Sequence, residues 1–527
     1  MTRGRLRAVL GTILAVTALV VSGCTSSSPK PAPSPVPTTM LPAPTATPSP
    51  VSPTHPNIVF VLTDDLSWNL VQYMPHVVAL QHQGMTFTNF TVTDSLCCPS
   101  RASIFTGEFP HDTHIYSNHG PFGGFLQFHR RGEEYQTFNY ALAQAGYRTA
   151  MMGKYLNEYV PPIRDAVTPG GPKIANYVPP GWTTWDVAGD GYPEYGYRIN
   201  ENHRLVTFGH KPKDYLTTVL QGLADKEVTT ASTTHRPFFL EVATFAPHKP
   251  YTPAPQDLDS YAGLQAPRNA AYDTLPRHAP TWLAGRPPLT AAENASIDKS
   301  FERRVEDVQS VDRMIGSIEQ TLRDTGQAQN TVFVFGSDNG YHMGEYRLAP
   351  GKFTAFDTDV RVPLIVAGPG IPADSTNADE VENIDLAPTF EALEGVAQPA
   401  TTDGHSFLPL LYGQNPVWRT LALIEHHGPV FDRNDPDSQT RAAGEPPTYE
   451  AMRSSTFTYV RYVDGSHEYY DRATDPDELD NIYASLPKAR KDQLDAELDT
   501  LQNCHGATAC WAAGRPQPQN ATTALPR

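Results

Sequence analysis

Two pairs of oxygen-bearing side chains stand directly after apolar runs that are far apart in the chain. Asp64 and Asp65 follow the run NIVFVL, and Asp338 and Asn339 follow TVFVF. Carboxylate and amide oxygens are hard ligands, which suit calcium or magnesium and not zinc or copper. Either pair alone could simply cap a turn, because Asp and Asn are common where strands end. Both pairs at the ends of such runs, together with the peptide around Cys97, predict a site for a divalent cation.

Cys97 and Cys98 are a second unusual feature, in the peptide LCCPSRASIFTG. Neighbouring cysteines seldom form a disulfide with each other, because the geometry is strained. The surrounding sequence supplies neither a histidine nor a second Cys-x-x-Cys to complete a zinc site. The two thiols therefore need another purpose.

The elements that would position these groups alternate between strands and helices. NIVFVL, from Asn57 to Leu62, and TVFVF, from Thr331, are apolar runs typical of strands that are covered on both faces. Apolar residues recur at helical spacing from Val305 to Leu322, and Gly326 offers a C-terminal cap. Ligands of an open α/β sheet bind beyond the carboxyl ends of its strands, and both polar pairs stand at such ends.

The peptide CCPSRASIFTG resembles the signature of the formylglycine-dependent sulfatases, Cys-x-Pro-Ser-Arg followed by a spacer and Thr-Gly. The motifs TDD, GKYLNEY, APHKP and SDNGYH follow one another along the chain in the family's order, and the resemblance runs from Asn57 to about Ser485. It implies an α/β, alkaline phosphatase-like fold: a large mixed β-sheet flanked by helices, with a small C-terminal α+β domain of antiparallel strands. It also implies the hydrolysis of sulfate monoesters.

This resemblance gives the thiol its purpose. A formylglycine-generating enzyme would oxidise Cys97 to Cα-formylglycine, and one hydroxyl of the aldehyde hydrate would attack sulfur. Ca²⁺, with Mg²⁺ as the alternative, would be held by Asp64, Asp65, Asp338, Asn339 and the converted Cys97. Expulsion of the alcohol would leave a sulfated enzyme, from which the second hydroxyl of the hydrate would eject sulfate.

The other catalytic residues that the resemblance implies are basic. Arg101 would orient the hydrate, and Lys154 and Lys352 would bind the sulfate oxygens and the hydrate. His248, in APHKP, would face the leaving-group oxygen, where a group that titrates near neutrality can donate a proton. Outside this framework each lysine would be interpreted as solvated surface and the histidine as part of an ordinary loop.

The chain departs from the family pattern at one catalytic position. Many sulfatases carry a histidine two residues after the lysine matched by Lys154, and this chain has Leu156 there. His111 and His114, in FPHDTH, are candidates for the missing base. His342, beside the predicted metal pair, could line the pocket or have a structural role.

The substrate prediction rests on GKYLNEY and PPGW, which resemble the branch of N-acetylglucosamine-6-sulfatases and extracellular glucosamine 6-O-endosulfatases. It favours a sulfated carbohydrate such as N-acetylglucosamine 6-sulfate, with aryl sulfates as the other class. One alternative is a phosphoester hydrolase of the same superfamily, although the sequence offers no recognisable second set of metal ligands. Another is a non-catalytic lipoprotein that binds sulfated glycans through an unconverted Cys97.

The N-terminus resembles an export signal. Met1 to Arg7 carries three arginines, an apolar run follows from Ala8 to Val21, and the run ends in VSGC. VSGC resembles a lipobox, in which Cys24 would be lipidated, with an ordinary secretory signal as the alternative. The protein is therefore predicted to be exported and either anchored at the cell surface through Cys24 or secreted, touching the membrane only through the lipid.

The predicted organisation places a signal peptide at 1–24, a Pro/Ser/Thr-rich tether at 25–55, a catalytic domain at 56–413, a C-terminal subdomain at 414–515 and a disordered tail at 516–527. Within the subdomain, Asp464-Gly465 predicts a hairpin, and 488–501 predicts a helix. Cys504 and Cys510 are a short loop apart and predict a disulfide in an exported protein. The formal net charge of -17 argues against nucleic acid as a partner.

Overall fold

The computed structural model describes residues 55–160, 176–234, 236–428, 435 and 437–515. The predicted signal segment with Cys24, the tether as far as residue 54 and the predicted tail from residue 516 lie outside the described residues. Within the described ranges, no helix combines the length and the apolar character needed to cross a membrane.

The secondary structure alternates along the chain. The strands are β1 Asn57–Thr63, β2 Met85–Phe87, β3 Phe90–Thr91, β4 Arg148–Lys154, β5 Thr184–Ala188, β6 Arg198–Glu201, β7 Arg204–Thr207, β8 Phe238–Ala243, β9 Thr331–Ser337, β10 Leu364–Ala367, β11 Ser375–Asn377, β12 Val381–Glu382, β13 Ala422–His426, β14 Tyr449–Arg453, β15 Phe457–Tyr462 and β16 His467–Asp471. The helices are α1 Trp68–Val71, α2 Pro75–Gln83, α3 Cys97–Thr106, α4 Pro110–Thr113, α5 Gly124–Arg131, α6 Phe138–Gln144, α7 Leu216–Ser232, α8 Ala291–Asp324, α9 Asp357–Val360, α10 Leu386–Leu393, α11 Leu408–Leu411, α12 Lys488–Leu501 and α13 Ala507–Ala513.

A ten-stranded mixed sheet forms the centre, in the order β11-β2-β10-β9-β1-β8-β4-β5-β6-β7. The strands β9, β1, β8, β4 and β5 run parallel, while β10 at one side and β6 and β7 at the other are antiparallel to their neighbours. The two apolar runs recognised in the sequence thus become neighbouring parallel strands, β1 and β9, whose carboxyl ends meet.

The sheet carries a hydrophobic core on each face. Successive residues of a strand point to opposite faces, and Phe60 packs into one core with Phe105 of α3, whereas Val59 packs into the other with Val305 of α8. Every residue of β1 and β9 is buried as a result. This double cover explains why both strands are continuous apolar runs, and the predicted α/β class is confirmed.

The C-terminal part adds a four-stranded antiparallel sheet in the order β13-β14-β15-β16. The predicted hairpin lies between β15 and β16, and the predicted helix is α12. Leu494, Leu498 and Leu501 of α12 are buried in one cluster with Tyr459 of β15. The expectation of a C-terminal antiparallel sheet with a helix is confirmed, and the sheet lies within the predicted segment 414–515.

Two glycines fix the elements that carry candidate functional groups. Gly107 ends the wholly buried α3 with φ +74°, and a Cβ there would lie 2.6 Å from Thr402 Cγ2. Gly153 precedes Lys154 in β4 with φ +89°, and a Cβ there would lie 1.9 Å from the carbonyl oxygen of Ala243. Only glycine accepts such positive φ values without strain. Both residues therefore let the backbone pack closely where a side chain of the site is held.

Candidate active site

The four oxygen-bearing side chains predicted from the sequence lie together at the carboxyl ends of β1 and β9. The backbone N–H of Asp65 donates to Asp338 Oδ1 at 3.2 Å, and Asn339 Nδ2 donates to Asp65 Oδ1 at 2.7 Å. Asp64 extends directly from the end of β1, and all four residues are buried. Parallel pairing of the two strands, in register from Asn57 to Thr63, is what brings these distant sequence positions together.

These residues fit a hard divalent cation. Asp65 Oδ2 and Asn339 Oδ1 are buried oxygens without a hydrogen-bond partner, a costly arrangement unless a ligand satisfies them. Oxygen atoms of Asp64 and Asp65 lie within 4.8 Å of Cys97 Sγ and a ring nitrogen of His248. Three carboxylates and an amide oxygen suit calcium or magnesium.

Cys97 is the first residue of α3 and is completely buried. Its Sγ lies 3.1 Å from Asp64 Oδ1 and 2.9 Å from Lys352 Nζ. Burial, and then the charges of Asp437 and Asp64, raise the pKa of the Cys97 thiol well above its ordinary value. Both effects disfavour the thiolate, which is the nucleophilic form of cysteine.

The predicted basic residues surround this cluster and pair with its carboxylates. Arg101 Nε donates to Asp338 Oδ2 at 2.8 Å, and Lys154 Nζ donates to Asp64 Oδ2 at 2.5 Å. Burial would raise the pKa of Asp64, but Lys154 and the other cations outweigh it and hold that pKa well below its ordinary value. The site is thus a dense, buried arrangement of alternating charges.

His248 lies in the loop after β8, and both of its ring nitrogens are engaged. Nδ1 is 2.7 Å from the carbonyl oxygen of Lys249, and Nε2 is 2.5 Å from Asp437 Oδ1. Burial would lower the pKa of His248, but the carboxylates of Asp437, Asp65 and Asp64 raise it. A ring that faces a carbonyl on one side and a carboxylate on the other is suited to carry a proton on each nitrogen.

Asp437 completes the cluster, and the sequence analysis missed it. Its Oδ1 lies 2.8 Å from Lys352 Nζ, and its Oδ2 lies 3.5 Å from Cys97 Sγ and accepts from Asn118 Nδ2 at 2.7 Å. In the sequence, the peptide NDPDS predicts only a turn between strands of the C-terminal part. Two acidic residues beside a proline were the available signal, but no motif connects them with Cys97.

A cavity of about 110 Å³ opens beside these groups. Asp65 and Lys352 line it together with the segment from Asp437 to Thr440. Lys249 and Tyr341 also contribute to its wall. A substrate group that reaches the site from this cavity would meet polar side chains from both halves of the chain.

The remaining candidate histidines make contacts outside this cluster. His111 Nδ1 faces Glu425 at 3.0 Å and Nε2 faces the carbonyl oxygen of Cys504 at 2.8 Å, while His114 is exposed and stacks on Tyr116. These contacts tie His111 to the C-terminal part of the chain.

His342 is completely buried, with Nδ1 3.0 Å from Asp359 and Nε2 2.9 Å from the carbonyl oxygen of Ala443. Leu156, at the position where many sulfatases have a histidine, belongs to the hydrophobic core. Cys504 and Cys510 form the predicted disulfide. Within the described residues, the histidine that contacts the cluster around Cys97 is His248.

The fold is of the alkaline phosphatase-like class, and a buried cluster of paired acidic and basic side chains lies at the carboxyl ends of its central strands. A family model described as Sulfatase matches residues 56–396, and one described as N-sulphoglucosamine sulphohydrolase, C-terminal, matches residues 344–504. The chain belongs to the sulfatase family and is a hydrolase of sulfuric esters.

The chain is also similar to individual proteins of known identity. The chain is 32% identical to human N-acetylglucosamine-6-sulfatase over 483 residues, covering 86% of this chain and 85% of the relative. A solved protein in complex with its substrate D-glucosamine-2-N,6-O-disulfate has a TM-score of 0.69 at 22% identity, covering 85% of this chain and 98% of that one. The phosphonate monoester hydrolase of Silicibacter pomeroyi has a TM-score of 0.63 at 19% identity, covering 85% and 96%. The two structures show the shared fold.

Proposed function

We propose that this protein hydrolyses sulfate esters of sugars, with the 6-sulfate of N-acetylglucosamine as the first candidate, and that it uses a formylglycine made from Cys97 together with a divalent cation. The observation that carries the proposal is the placement of Cys97. Its Sγ lies within hydrogen-bond reach of Lys352 and Asp64, and a carboxylate oxygen of Asp65 lies within 4.8 Å of it.

A neutral, fully buried thiol has little use as a nucleophile, whereas a precursor needs only the right position. When present, the hydrated aldehyde would supply the attacking hydroxyl, and a cation on Asp64, Asp65, Asp338 and Asn339 would supply positive charge next to it. The N-terminus of α3 adds the partial positive charge of the helix dipole at the same point. These features support the proposed conversion of Cys97.

The chain's own residues have distinct roles in this proposal. Lys352 and Lys154 neutralise sulfate oxygens, and their burial strengthens that attraction because water screens it little. Arg101 is anchored on Asp338 and on the carbonyl oxygen of Lys154, so it orients the group formed at position 97. His248 carries the proton that the leaving alcohol requires.

The substrate class rests on two similarities. The human relative is named for the 6-sulfate of N-acetylglucosamine, and the solved neighbour holds a glucosamine that bears a 6-O-sulfate. The cavity beside Asp437, with Ser438, Gln439 and Thr440 in its wall, offers hydroxyl and amide groups that suit the hydroxyls of a sugar.

The proposed function also implies how the protein matures, and we add a proposal for where it is located. A formylglycine-generating enzyme must act on the peptide around Cys97 before α3 is buried, because every residue of that helix is inaccessible in the folded protein. Ca²⁺ is the expected cation, and Mg²⁺ is the alternative. We place the mature protein outside the cytosol, held at the surface through Cys24 or secreted.

The test is the release of inorganic sulfate from N-acetylglucosamine 6-sulfate and from an aryl sulfate, beside the release of phosphate from the matching aryl phosphate. Cys97→Ala is the blank, and Cys98→Ala is the matched control, because Cys98 is equally buried but contacts Asn118 through its backbone. We expect sulfate release that Cys97→Ala reduces by at least about a thousandfold and Cys98→Ala retains.

The mass of the proteolytic peptide that contains Cys97 decides how the result is read. Sulfate release by protein whose Cys97 is an intact thiol would refute the formylglycine route. Dominant phosphate release would identify a phosphoester hydrolase instead. A converted protein that releases neither anion from these esters would contradict the proposed substrate class.

A further inference from the structure

Asp437 is a carboxylate inside a site that must bind an anion. It reaches the thiol from the C-terminal half of the chain, whereas the predicted metal ligands other than Cys97 follow β1 and β9. Its side chain is only 2% exposed, and its two oxygens lie 2.8 Å from Lys352 Nζ and 3.5 Å from Cys97 Sγ. A negative charge in this position acts on the substrate with little screening by water.

The structure holds Asp437 in place from behind. Asn118 donates from Nδ2 to Asp437 Oδ2 at 2.7 Å, and the backbone N–H of Asp437 donates to Asp435 Oδ1 at 2.9 Å. Asp435 is itself buried, with Asn118 Nδ2 at 3.3 Å and His119 Nε2 at 3.5 Å. Two buried carboxylates therefore lie on this side of the site, and Asp437 is the one in contact with Lys352 and His248.

Resting on the proposed function, we infer that Asp437 is a specificity-determining residue that makes the site favour singly charged sulfate esters over doubly charged phosphate esters. Asp437 contacts the cations Lys352 and His248. Its negative charge cancels part of the positive charge that would otherwise attract a bound anion. Each negative charge of an incoming ester is repelled by the same carboxylate. A phosphate dianion therefore meets about twice the repulsion that a sulfate monoanion meets.

This role separates Asp437 from the other acidic residues of the cluster. Asp64 and Asp338 pair with Lys154 and Arg101 and belong to the proposed cation site, so their charge is needed for either ester. Asp437 shares Lys352 with Asp65, and both carboxylates approach His248 and line the adjoining cavity, but Asp65 belongs to the proposed cation site and Asp437 does not. Fold neighbours include a phosphonate monoester hydrolase, so the fold alone does not choose between the two kinds of oxyanion.

The test compares wild type with Asp437→Asn, which removes the charge and preserves the shape. The substrates are p-nitrophenyl sulfate and p-nitrophenyl phosphate, which share a leaving group, at about pH 8, where the phosphate carries two charges. We expect the ratio of kcat/KM for phosphate to kcat/KM for sulfate to rise by at least about tenfold. Asp435→Asn is the matched control, since it removes the same charge from the next carboxylate outward, and its ratio should rise less.

An unchanged ratio in Asp437→Asn, or a shift toward sulfate, would overturn the inference. If the variant hydrolyses neither ester, calorimetric titration of p-nitrophenyl phosphate, a dianion, and p-nitrophenyl sulfate, a monoanion, into calcium-loaded Cys97→Ala protein with and without Asp437→Asn gives the same comparison. The affinity for phosphate relative to sulfate should rise by a similar factor, and an unchanged ratio would again overturn the inference. If wild type releases no sulfate from any ester, the proposed function fails, while the ratio of anion affinities still tests Asp437.

Discussion

His248 and His111 are built alike but lie in regions that differ in their surroundings. Each ring faces a carboxylate with one nitrogen and a backbone carbonyl with the other. For His248 the carboxylate is Asp437, at 2.5 Å from Nε2. For His111 it is Glu425, at 3.0 Å from Nδ1.

The neighbours of the two pairs account for the difference. The His248 pair lies beside Lys352, the Cys97 thiol and Asp65, whose Oδ2 lies 3.6 Å from His248 Nε2 and accepts no hydrogen bond from the described residues. The His111 ring instead stacks on Phe109 at 5.4 Å and lies against the carbonyl oxygen of Cys504, away from the cluster around Cys97. A histidine–carboxylate pair therefore indicates a site only where neighbouring groups retain bonding capacity for a ligand.

The largest expected effect separates the two histidines by activity. His248→Gln should lower kcat for N-acetylglucosamine 6-sulfate by about a hundredfold to a thousandfold, because a sugar alcohol leaves poorly without a proton. Its effect on p-nitrophenyl sulfate should be much smaller, because that leaving group departs readily as an anion. Steady-state kinetics on both substrates measure the difference.

His111→Gln is the matched control for this experiment. It should keep kcat within about twofold on both substrates, because His111 lies outside the cluster around Cys97. Equal losses on the sugar and aryl esters in His248→Gln would remove its role as proton donor. A loss in His111→Gln as large as that in His248→Gln would break the comparison.

The next effect concerns cation binding, which should stabilise the site at the carboxyl ends of β1 and β9 and leave the pair of His111 with Glu425 unaffected. At a Ca²⁺ concentration about a hundred times the Kd, binding should add about 3 kcal/mol to the free energy of unfolding. Chelation should remove this stabilisation together with the activity. Thermal unfolding with and without Ca²⁺ or Mg²⁺ measures the change.

Asn339→Ala deletes one of the two unpartnered oxygens and should weaken the dependence of unfolding on the cation. His111→Gln should unfold at a lower temperature but show the same cation dependence as wild type. Identical melting temperatures for wild-type protein in Ca²⁺ and in chelator would count against a cation site at the ends of β1 and β9.

The sequence predicted the parts of this molecule that depend on local patterns. Continuous apolar runs identified β1 and β9, because strands covered on both faces have no polar side to interrupt them. The polar residues that end those strands then had to meet, because parallel neighbours end at the same edge of a sheet. The same logic identified α12 from its leucines and the hairpin before it from Asp464-Gly465.

The features of the site that the sequence did not predict depend on tertiary contacts without a local pattern. Asp437 reaches Cys97 across 340 positions of the chain, and its segment carries only turn residues. The sequence suggested His111 as a base because it follows the signature closely, but the residue lies in α4 and contacts Glu425 and Cys504. For His111, nearness in sequence to Cys97 was therefore a poor guide to nearness in space, while the register of β1 with β9 was a good guide for the predicted cation ligands.

The smallest effect is on stability, at the His111 pair. Burial would lower the pKa of His111, but the hydrogen bond and charge of Glu425, together with the carbonyl of Cys504, raise it from 6.5 to about 9. Because the folded state binds the proton more tightly than the unfolded state, this pair adds stability that is fully present below pH 6.5 and is lost as the pH rises through about 9. His111→Gln should therefore cost about 2 kcal/mol at pH 6.

Denaturant unfolding of wild type and His111→Gln across this pH range measures the difference, and His114→Gln serves as the control because His114 is exposed. The stability gap between wild type and His111→Gln should narrow above about pH 9, where the ring in the folded protein loses its extra proton and Glu425 loses its cationic partner. A gap that stays constant with pH would mean that His111 stabilises the fold through packing on Phe109 alone. In that case the likeness between the two histidine–carboxylate pairs would be one of geometry and not of charge.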